Sequence, residues 1–385
     1  MKMPTLTPLQ KNAVHIGLAL LLTAVSLLAS SSSKMLTAQA RFLEELWTKK
    51  EGSEEITMLF TGDIMLDRYI KTLRQQREEP FPFSHMPELI TAVQSALEAS
   101  ELDLIIGNLE GPITDSAYVN NGTAMVFNFE PGVTTLLKNA GFTTFSMANN
   151  HTLDMGKDGI RQTHDYLAAA GMQGFGHPDT PNGDYSFITY DFAGTTVGFL
   201  GLNDAVIRLD TDAAVAKIKE VDPLVDHLII GVHWGFEYEP TARESVVNKA
   251  HAFVDAGADF IWGHHPHVVQ NSEVYNGVPI YYSLGNFVFD QYWSPETQIG
   301  LVLGVKIKEG ILTVTEHTVD LVDGGEPKLR VEEGSFNFLS GKAPLDRSSP
   351  PSCIATVPPL SRVAQGCIHR NQCFLFDQLQ RKANQ

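Results

Sequence analysis

The chain has 385 residues, of which 43% are hydrophobic and 19% are charged, so it can form one large domain with appendages or two domains. Its formal net charge is −17, which leaves no basic surface for nucleic acid, and we expect no nucleic-acid partner. An acidic body also repels anionic substrates, so an anionic substrate would need bound cations that reverse the charge locally.

The N-terminal segment predicts export across the cell membrane. Lys2 and Lys11 precede an apolar run over residues 13–29, and no acid accompanies them. This pattern is typical of a signal sequence, and the lysines favour a cytoplasmic N-terminus. We predict a signal anchor or transmembrane helix over residues 1–33 and a linker over 34–55. The protein would then be a single-pass membrane protein with an extracytoplasmic domain. Cleavage after Ala40 and a buried N-terminal helix are the alternatives.

Five short apolar runs each end in residues that bind metals. They lack strict alternation, which is typical of strands buried on both faces. The carboxyl ends of parallel strands open at one edge, so we read the five as strands of one sheet that deliver ligands to a shared edge. This layout predicts a metal-centred hydrolytic site. The runs cover residues 56–61, 103–107, 143–147, 227–232 and 259–263.

Helical periodicity separates these runs, over residues 86–100, 131–139, 159–170 and 241–255. The class is therefore α/β. The second half of the chain adds strand-like segments that we assign to a second, partly antiparallel sheet. These segments cover residues 185–190, 196–202, 279–283, 299–306 and 311–319.

The chain beyond residue 323 is rich in Gly, Pro and Ser, and we predict a weakly ordered C-terminal tail over residues 324–385. All three cysteines, Cys353, Cys367 and Cys373, lie in this segment. Their spacing does not indicate a zinc site.

Histidines form the strongest chemical signal. His265 and His267 flank a proline directly after an apolar run, and His264 precedes them. Two imidazoles at this spacing can reach one metal cluster. His233 also follows an apolar run and, together with this pair, is a predicted ligand.

Acidic residues end the first two runs. Asp63 stands where a parallel sheet opens its crevice, although it could instead cap the following helix. Asp67 could be a ligand, a partner of a ligand or a surface residue. Glu110 is the predicted ligand at the next strand end, and Asn108 is its competitor.

Asn149, Asn150 and His151 end the third run. An amide oxygen is a neutral metal ligand, and the adjacent histidine could donate a proton to a leaving group or hold the substrate. The two asparagines could instead cap the helix that begins near Asp158. The mixed oxygen and nitrogen ligands predict one or two divalent ions, Mn, Zn, Fe or Mg. Two such ions would activate a bridging water for attack on phosphorus or on an amide carbonyl.

Six segments in the same order resemble the bacterial CapA family, the capsule-synthesis proteins associated with poly-γ-glutamate. That family is similar to the calcineurin-like metallophosphoesterases. The segments are GDIMLDR (62–68), NLEGP (108–112), ANNHTLDMG (148–156), HWGFEY (233–238), GHHPH (263–267) and SLGNFVFDQ (283–291). The resemblance implies a four-layer α-β-β-α sandwich of two mixed sheets over residues 56–323, with a two-metal site at the sheet edges.

The resemblance also implies roles for single residues. Asp63 matches the first metal aspartate, and Asn150 with His151 matches the Asn-His pair. Met65 stands where phosphoesterases usually carry a histidine, and Asn108 with Glu110 stands where they usually carry a bridging aspartate. The predicted metal ligands are Asp63, Glu110, Asn150, His233, His265 and His267. The predicted catalytic residues are His151, Asn150 and Glu237. The predicted substrate-side or supporting residues are Asp67, Asn108, Asn149, Asp154, His264, Asn286 and Asp290.

The function that this resemblance implies is capsule or poly-γ-glutamate synthesis or processing at the outer face of the cell membrane, with a metal-dependent hydrolytic or transfer site. Two alternatives remain. One is a non-catalytic accessory protein that binds or exports an anionic polymer. The other is a metal-dependent phosphoesterase on another substrate. The implied partners are an anionic polymer such as poly-γ-glutamate, the membrane and other capsule-synthesis membrane proteins.

Overall fold

Two mixed sheets form the centre of the protein. The computed structural model describes residues 55–77, 80–118, 125–206, 208–330 and 337–338. The predicted anchor, nearly all of the linker, the cysteines and most of the predicted tail lie outside these ranges. Within them, none of the helices has the length and apolar character needed to cross a membrane.

The helices and strands follow one another in this order: β1 (Glu55–Ile64), α1 (Arg68–Gln76), α2 (Met86–Leu97), β2 (Leu104–Leu109), α3 (Val133–Asn139), β3 (Thr144–Ser146), α4 (Gly156–Ala169), β4 (Gln173–Phe175), β5 (Phe187–Phe192), β6 (Thr195–Asp204), α5 (Thr211–Val221), β7 (His227–Trp234), α6 (Glu244–Ala256), β8 (Phe260–His264), β9 (Ser272–Tyr275), β10 (Val278–Tyr281), β11 (Asn286–Val288), β12 (Ile299–Lys308), β13 (Ile311–Val322), β14 (Glu326–Leu329) and β15 (Asn337–Phe338). Short 3₁₀ turns cover Asp222–Leu224 and Glu296–Gln298.

The first sheet has the strand order β14-β13-β12-β1-β2-β3-β4, with β11 paired to β1 and β15 to β13. Its strands β1 to β4 are parallel, whereas β12, β13 and β14 add antiparallel pairs. The second sheet has the order β5-β6-β7-β8-β10-β9, with a parallel centre and antiparallel edges. Both sheets are therefore mixed, as predicted.

The prediction that all five metal-bearing runs belong to one sheet is wrong. The first three are β1, β2 and β3 of the first sheet, and the last two are β7 and β8 of the second. The assignment of the later segments to a single second sheet is also wrong for β12 and β13. Strand β12 pairs antiparallel with Glu55–Phe60 of β1, and β13 pairs with β12, so both belong to the first sheet.

Side chains that alternate along the strands build three apolar layers. Met58 and Phe60 of β1 point between the sheets, where they pack with Phe199 and Trp262 of the second sheet. Leu59 points the other way, into a layer covered by α2, α3 and residues of α1 and α4. A third layer lies between the second sheet and helices α5 and α6. Since successive strand residues face opposite sides, this alternation gives the order helix, sheet, sheet, helix.

The first sheet extends past the predicted domain end at residue 323. Gly324 and Gly325 adopt φ values of 93° and 103°, and the turn they form returns the chain as β14 along β13. The predicted boundary is therefore too early, because glycines there make a hairpin turn rather than a tail.

The segment between β10 and β11 crosses from the second sheet to the first. Leu284 N donates to Gly263 O (3.1 Å) on the second sheet, and Gly285 O accepts from Asp63 N (3.0 Å) on the first. A Cβ on Gly62 would overlap the Gly285 carbonyl, so glycine is needed where these two segments of the chain approach each other. The crossover is therefore hydrogen-bonded directly to the backbone of Asp63.

Candidate metal and catalytic site

The carboxyl ends of strands from both sheets meet at one place. Asn108 Nδ2, at the end of β2, donates to Asp63 Oδ1 (2.8 Å) at the end of β1. The same nitrogen lies 3.5 Å from His233 Nδ1 at the end of β7. Asn108 thus connects the two sheets through the site, and it lies beside the predicted ligands.

A buried cluster joins Asp63, Glu110 and His267. The potential ligand atoms of these three residues all lie within 4.8 Å of one another. Asp63 and Glu110 are both 0% exposed. Neither carboxylate oxygen of Glu110 has a hydrogen-bond partner within the described residues. A buried carboxylate without a partner is costly, so this geometry favours a bound cation.

The surroundings shift the pKa values of Glu110 and Asp63 in opposite directions. Burial, followed by repulsion from Asp63, raises the pKa of Glu110 well above its usual range. Burial also opposes ionisation of Asp63, but attraction by the adjacent His264 and His267 side chains outweighs it and holds the pKa of Asp63 well below its usual range. The nearest atoms are Nδ1 of each histidine, 3.1 Å from one of the two Asp63 oxygens.

The loop after β8 carries the two histidines of the strongest sequence signal. His265 and His267 adopt φ values of 96° and 57°, which are rare for residues other than glycine and often mark functional sites. Burial and repulsion by His267 lower the pKa of His265 to about 3. His265 is therefore neutral, and its Nδ1 has no partner among the described residues. It forms a second ligand cluster with His267 and the exposed Glu237.

His267 is common to both clusters. Its Nε2 lies 3.5 Å from Glu110 Oε1, and its Nδ1 lies 3.0 Å from Asn286 Oδ1. Burial lowers the pKa of His267, but the Glu110 and Asp63 carboxylates outweigh this effect and raise it to about 9.

His233 and Asn150 form the next pair. His233 Nε2 lies 2.7 Å from Asn150 Oδ1, so the amide oxygen accepts from the imidazole. Burial, then repulsion by His265, lowers the pKa of His233 well below its usual value. The His233 and His265 rings lie 4.8 Å apart, between centroids. His233 therefore borders the second ligand cluster, and Asn150 contacts that cluster's neighbour His233 rather than the clusters themselves.

His151 is oriented by a carboxylate. Its Nδ1 lies 2.8 Å from Asp154 Oδ2, and its backbone N–H donates to Asn149 Oδ1 (3.1 Å). Asn149 Nδ2 donates in turn to Asn108 Oδ1 (3.2 Å). Helix α4 begins later, at Gly156, without a side-chain cap, so the alternative that the asparagines cap it is wrong.

The match with known families covers this site. Residues 57–291 match the model of the bacterial capsule synthesis protein family PGA_cap. The chain belongs to the PGA_cap family.

Relatives agree with this PGA_cap assignment. The chain is 30% identical to the capsule biosynthesis protein CapA of Bacillus anthracis, over 76% of this chain and 72% of that protein. It is also 30% identical to the PGA biosynthesis protein CapA of Bacillus subtilis, over 66% and 68%. A probable polyglutamine synthesis accessory protein of Mycobacterium tuberculosis is 26% identical, over 51% and 58%.

Two solved structures overlap the PGA_cap chain more weakly. A novel phosphatase from Mycoplasma pneumoniae is 14% identical, with a TM-score of 0.42 over 75% of this chain and 95% of that one. A putative 5′-nucleotidase from Staphylococcus aureus is 12% identical, with a TM-score of 0.40 over 85% and 58%. At these scores neither structure supports an argument about function.

Supporting residues of the PGA_cap motifs hold the site in place. Asn286 Nδ2 donates to Gln291 Oε1 (3.0 Å), which fixes the amide that faces His267. Asp67 is 3% exposed and accepts from Asn128 N (3.0 Å), so the surface alternative for Asp67 is wrong. Asp63 lies within β1 and does not cap α1, whose N-cap residue is Asp67.

The side chains at this edge fit a divalent metal. The donor atoms are carboxylate oxygens, an amide oxygen and imidazole nitrogens, the set that borderline and hard divalent ions accept. Glu110 and His265 carry buried polar atoms without partners in the described part of the chain. Met65, in the same motif as Asp63, does not face the ligands as a donor: its Sδ accepts from Asp67 N (3.1 Å).

Arg68 lies beside the site and was not predicted from the sequence. Its guanidinium forms a two-bond ion pair with Asp290, a predicted substrate-side residue. It also lies over the rings of Phe127 and Phe289. The signal in the sequence was a single arginine that ends the GDIMLDR motif beside a cluster of acids.

Proposed function

We propose that this PGA_cap protein is a membrane-anchored, extracytoplasmic enzyme of capsule or poly-γ-glutamate synthesis or processing. It hydrolyses or transfers a bond of an anionic polymer with the help of one or two divalent ions. The observation that carries the proposal is Glu110, a fully buried carboxylate without a hydrogen-bond partner in the described chain, beside Asp63 and His267. The names of the CapA relatives support the substrate class.

The two ligand clusters assign the metal-binding residues. Asp63, Glu110 and His267 would hold one ion, and Glu237, His265 and His267 would hold a second or share the first. Such an ion, Mn, Zn, Fe or Mg, supplies Lewis acidity and an activated water. Its positive charge also offsets the acidic surroundings that would otherwise repel an anionic polymer.

His151 acts in this proposal as the proton donor. Asp154 accepts a hydrogen bond at His151 Nδ1, which fixes the ring and leaves Nε2 for the substrate. The Phe127 ring lies against the imidazole with centroids 4.2 Å apart and shields it from water. The fixed ring can therefore deliver a proton from Nε2 to the leaving group.

One experiment tests the enzyme proposal with the full-length protein. We expect purified protein to retain divalent metal and to cleave either γ-glutamyl oligomers or a generic phosphodiester. His151→Gln should keep the metal and lose about 100-fold or more of the turnover, because general acid catalysis contributes about 10²–10⁴-fold. Metal analysis and product chromatography measure the two quantities separately.

Other outcomes lead to the alternatives. Phosphodiester cleavage without action on γ-glutamyl oligomers would indicate a phosphoesterase on another substrate. Metal-free protein without turnover, but with polymer binding that survives His265→Ala, would contradict the enzyme proposal and favour a non-catalytic accessory protein. Met65 at the usual ligand position is the observation that keeps this second function in view.

The membrane placement is a proposal from the sequence. Lys2 and Lys11 before the apolar run favour a cytoplasmic N-terminus, which places the PGA_cap domain outside. Protease added to intact spheroplasts should digest the domain, whereas a cytoplasmic marker protein stays whole. Protection of the domain would contradict the placement.

A further inference from the structure

Arg68 is a cation at the edge of an otherwise acidic site. Its side chain is 14% exposed, and its partner Asp290 is 6% exposed. Arg68 Nε donates to Asp290 Oδ2 (3.2 Å), Nη2 donates to Oδ1, and Tyr69 N also donates to Oδ2 (3.1 Å). Asp290 therefore fixes one edge of the guanidinium.

The other edge of the guanidinium is weakly engaged. Nη1 lies 3.7 Å from the Sδ atom of Met125, a residue that is 56% exposed. A thioether is a poor acceptor, whereas a guanidinium carries five N–H donors in a planar fork. Within the described residues, most of the donor capacity at Nη1 therefore remains for a ligand that reaches the site from solvent.

Two aromatic rings connect Arg68 to the chemistry. The Arg68 Cζ atom lies 5.2 Å from the centroid of the Phe127 ring, and that ring lies against His151. The same carbon lies 5.7 Å from the centroid of Phe289, whose ring is 4.8 Å from that of His267. Arg68 is thus one ring away from the proton donor and one ring away from the shared metal ligand.

The backbone at Arg68 is strained in a way that serves this placement. Arg68 adopts a φ of 50° at the start of α1, in the left-handed region that residues with a Cβ rarely occupy. Such strain persists only where surrounding contacts hold it, and the Asp290 carboxylate supplies three of these contacts. These contacts therefore fix the orientation of the Arg68 guanidinium.

We propose that Arg68 determines substrate specificity by binding a carboxylate of the anionic substrate while the adjoining bond lies at His151 and the metal ligands. This inference rests on the proposed function and names the residue that recognises the negative charge of the polymer. A guanidinium whose orientation is already fixed loses little entropy when it binds a second carboxylate, and carboxylates match its fork. Asp290 is a positioning residue in this arrangement.

The test compares two ligands and three variants of the full-length protein. The ligands are a γ-linked glutamate oligomer with free α-carboxylates and the same oligomer with those groups converted to amides. Arg68→Gln should weaken binding of the acid oligomer about 10- to 100-fold and change binding of the amide oligomer less than about 3-fold, because only the acid forms charge-assisted bonds. Arg68→Lys should fall between wild type and Arg68→Gln, because it keeps the charge and loses the fork.

The matched control is Arg330→Gln. Arg330 forms the same kind of two-bond pair with Asp320, through Nε to Oδ2 (3.0 Å) and Nη2 to Oδ1, and neither residue belongs to the ligand clusters. Its substitution removes an equal charge and should leave the preference for the acid oligomer unchanged. Thermal unfolding and metal content of each variant report whether folding is intact.

Three results would overturn the inference. They are equal affinity of wild type for the two oligomers, an equal loss for both oligomers in Arg68→Gln, and unchanged acid binding in that variant. Metal content and turnover of the wild type are measured in the same samples. If wild-type protein is active and metal-loaded but binds the acid and amide oligomers equally well, this inference alone is contradicted. An Arg68-dependent preference in a metal-free, inactive protein contradicts only the enzyme proposal.

Discussion

His267→Ala is expected to abolish metal binding, with a loss of affinity of at least about 100-fold. Changing a residue that merely supports a ligand costs about 10–100-fold, and His267 is itself a candidate ligand. It is common to both ligand clusters, so one substitution affects every ion that they could hold. Measurement of metal per chain after dialysis against a known free metal concentration gives the result.

His265→Ala distinguishes a protein that binds one metal ion from a protein that binds two. His265 belongs only to the cluster with Glu237 and His267, whereas Asp63 and Glu110 form the other. A protein with two ions should lose one of them, and a protein with one ion should show weaker binding at unchanged stoichiometry.

His251→Ala is the control for both substitutions. This residue pairs with Glu273 (2.8 Å) and stacks on Tyr275 at the outer side of the second sheet. It should leave metal content unchanged. Full metal content in His267→Ala would contradict the assignment of the site.

Glu110→Gln is expected to stabilise the metal-free protein and to remove stabilisation by metal. Burial and Asp63 raise the pKa of Glu110 above its ordinary value of 4.5, so the folded state holds this proton longer than the unfolded state. The contribution of Glu110 to stability is therefore intact below about pH 4.5. It is lost as pH rises through the higher pKa of the folded state.

Glutamine does not ionise, so Glu110→Gln removes this loss of stability at high pH. In the metal-free protein at pH 8, Glu110→Gln should raise the free energy of unfolding by about 1–3 kcal/mol, and the gain should vanish near pH 4. Added metal should raise the Tm of wild type and raise it far less in the variant, because a ligand that binds only the folded state stabilises it. Denaturant titrations with and without a chelator measure both effects.

Glu130→Gln provides a control with the opposite sign. Burial opposes ionisation of Glu130, but Arg74 and Lys71 outweigh it and lower its pKa, so its charge stabilises the folded state at neutral pH. This variant should lose stability at pH 8 and keep its response to metal. Lower stability of metal-free Glu110→Gln at pH 8 would contradict the view that the buried Glu110 carboxylate, with His267 at 3.5 Å, destabilises the metal-free protein.

The strand ends were predictable because the signal is local. Apolar runs such as β7 and β8 are buried on both faces, and the polar residue after each run is visible in the sequence. Helices α2, α3, α4 and α6 were predicted from periodicity, whereas α1 and α5 were missed. The convergence of His233, Asp63 and Asn108 followed from the position of each at a strand end.

The partition into two sheets was not predictable from the residues alone. The pairing of β1 with β12 joins distant positions, such as Glu55 with Lys308, and no local pattern specifies it. The same limit applies to Arg68, whose role depends on Asp290, 222 positions away. Contacts of this kind arise when the packed layers bring distant segments together, and local propensity does not encode them.

At the crossover next to Asp63, the site contains residues from both sheets. The first sheet supplies Asp63 and Glu110, and the second supplies His233 and the loop that carries His267. A cation bound between them would act as a clamp that cross-links the two halves of the fold. Part of its binding free energy would then be the free energy that holds the two sheets together.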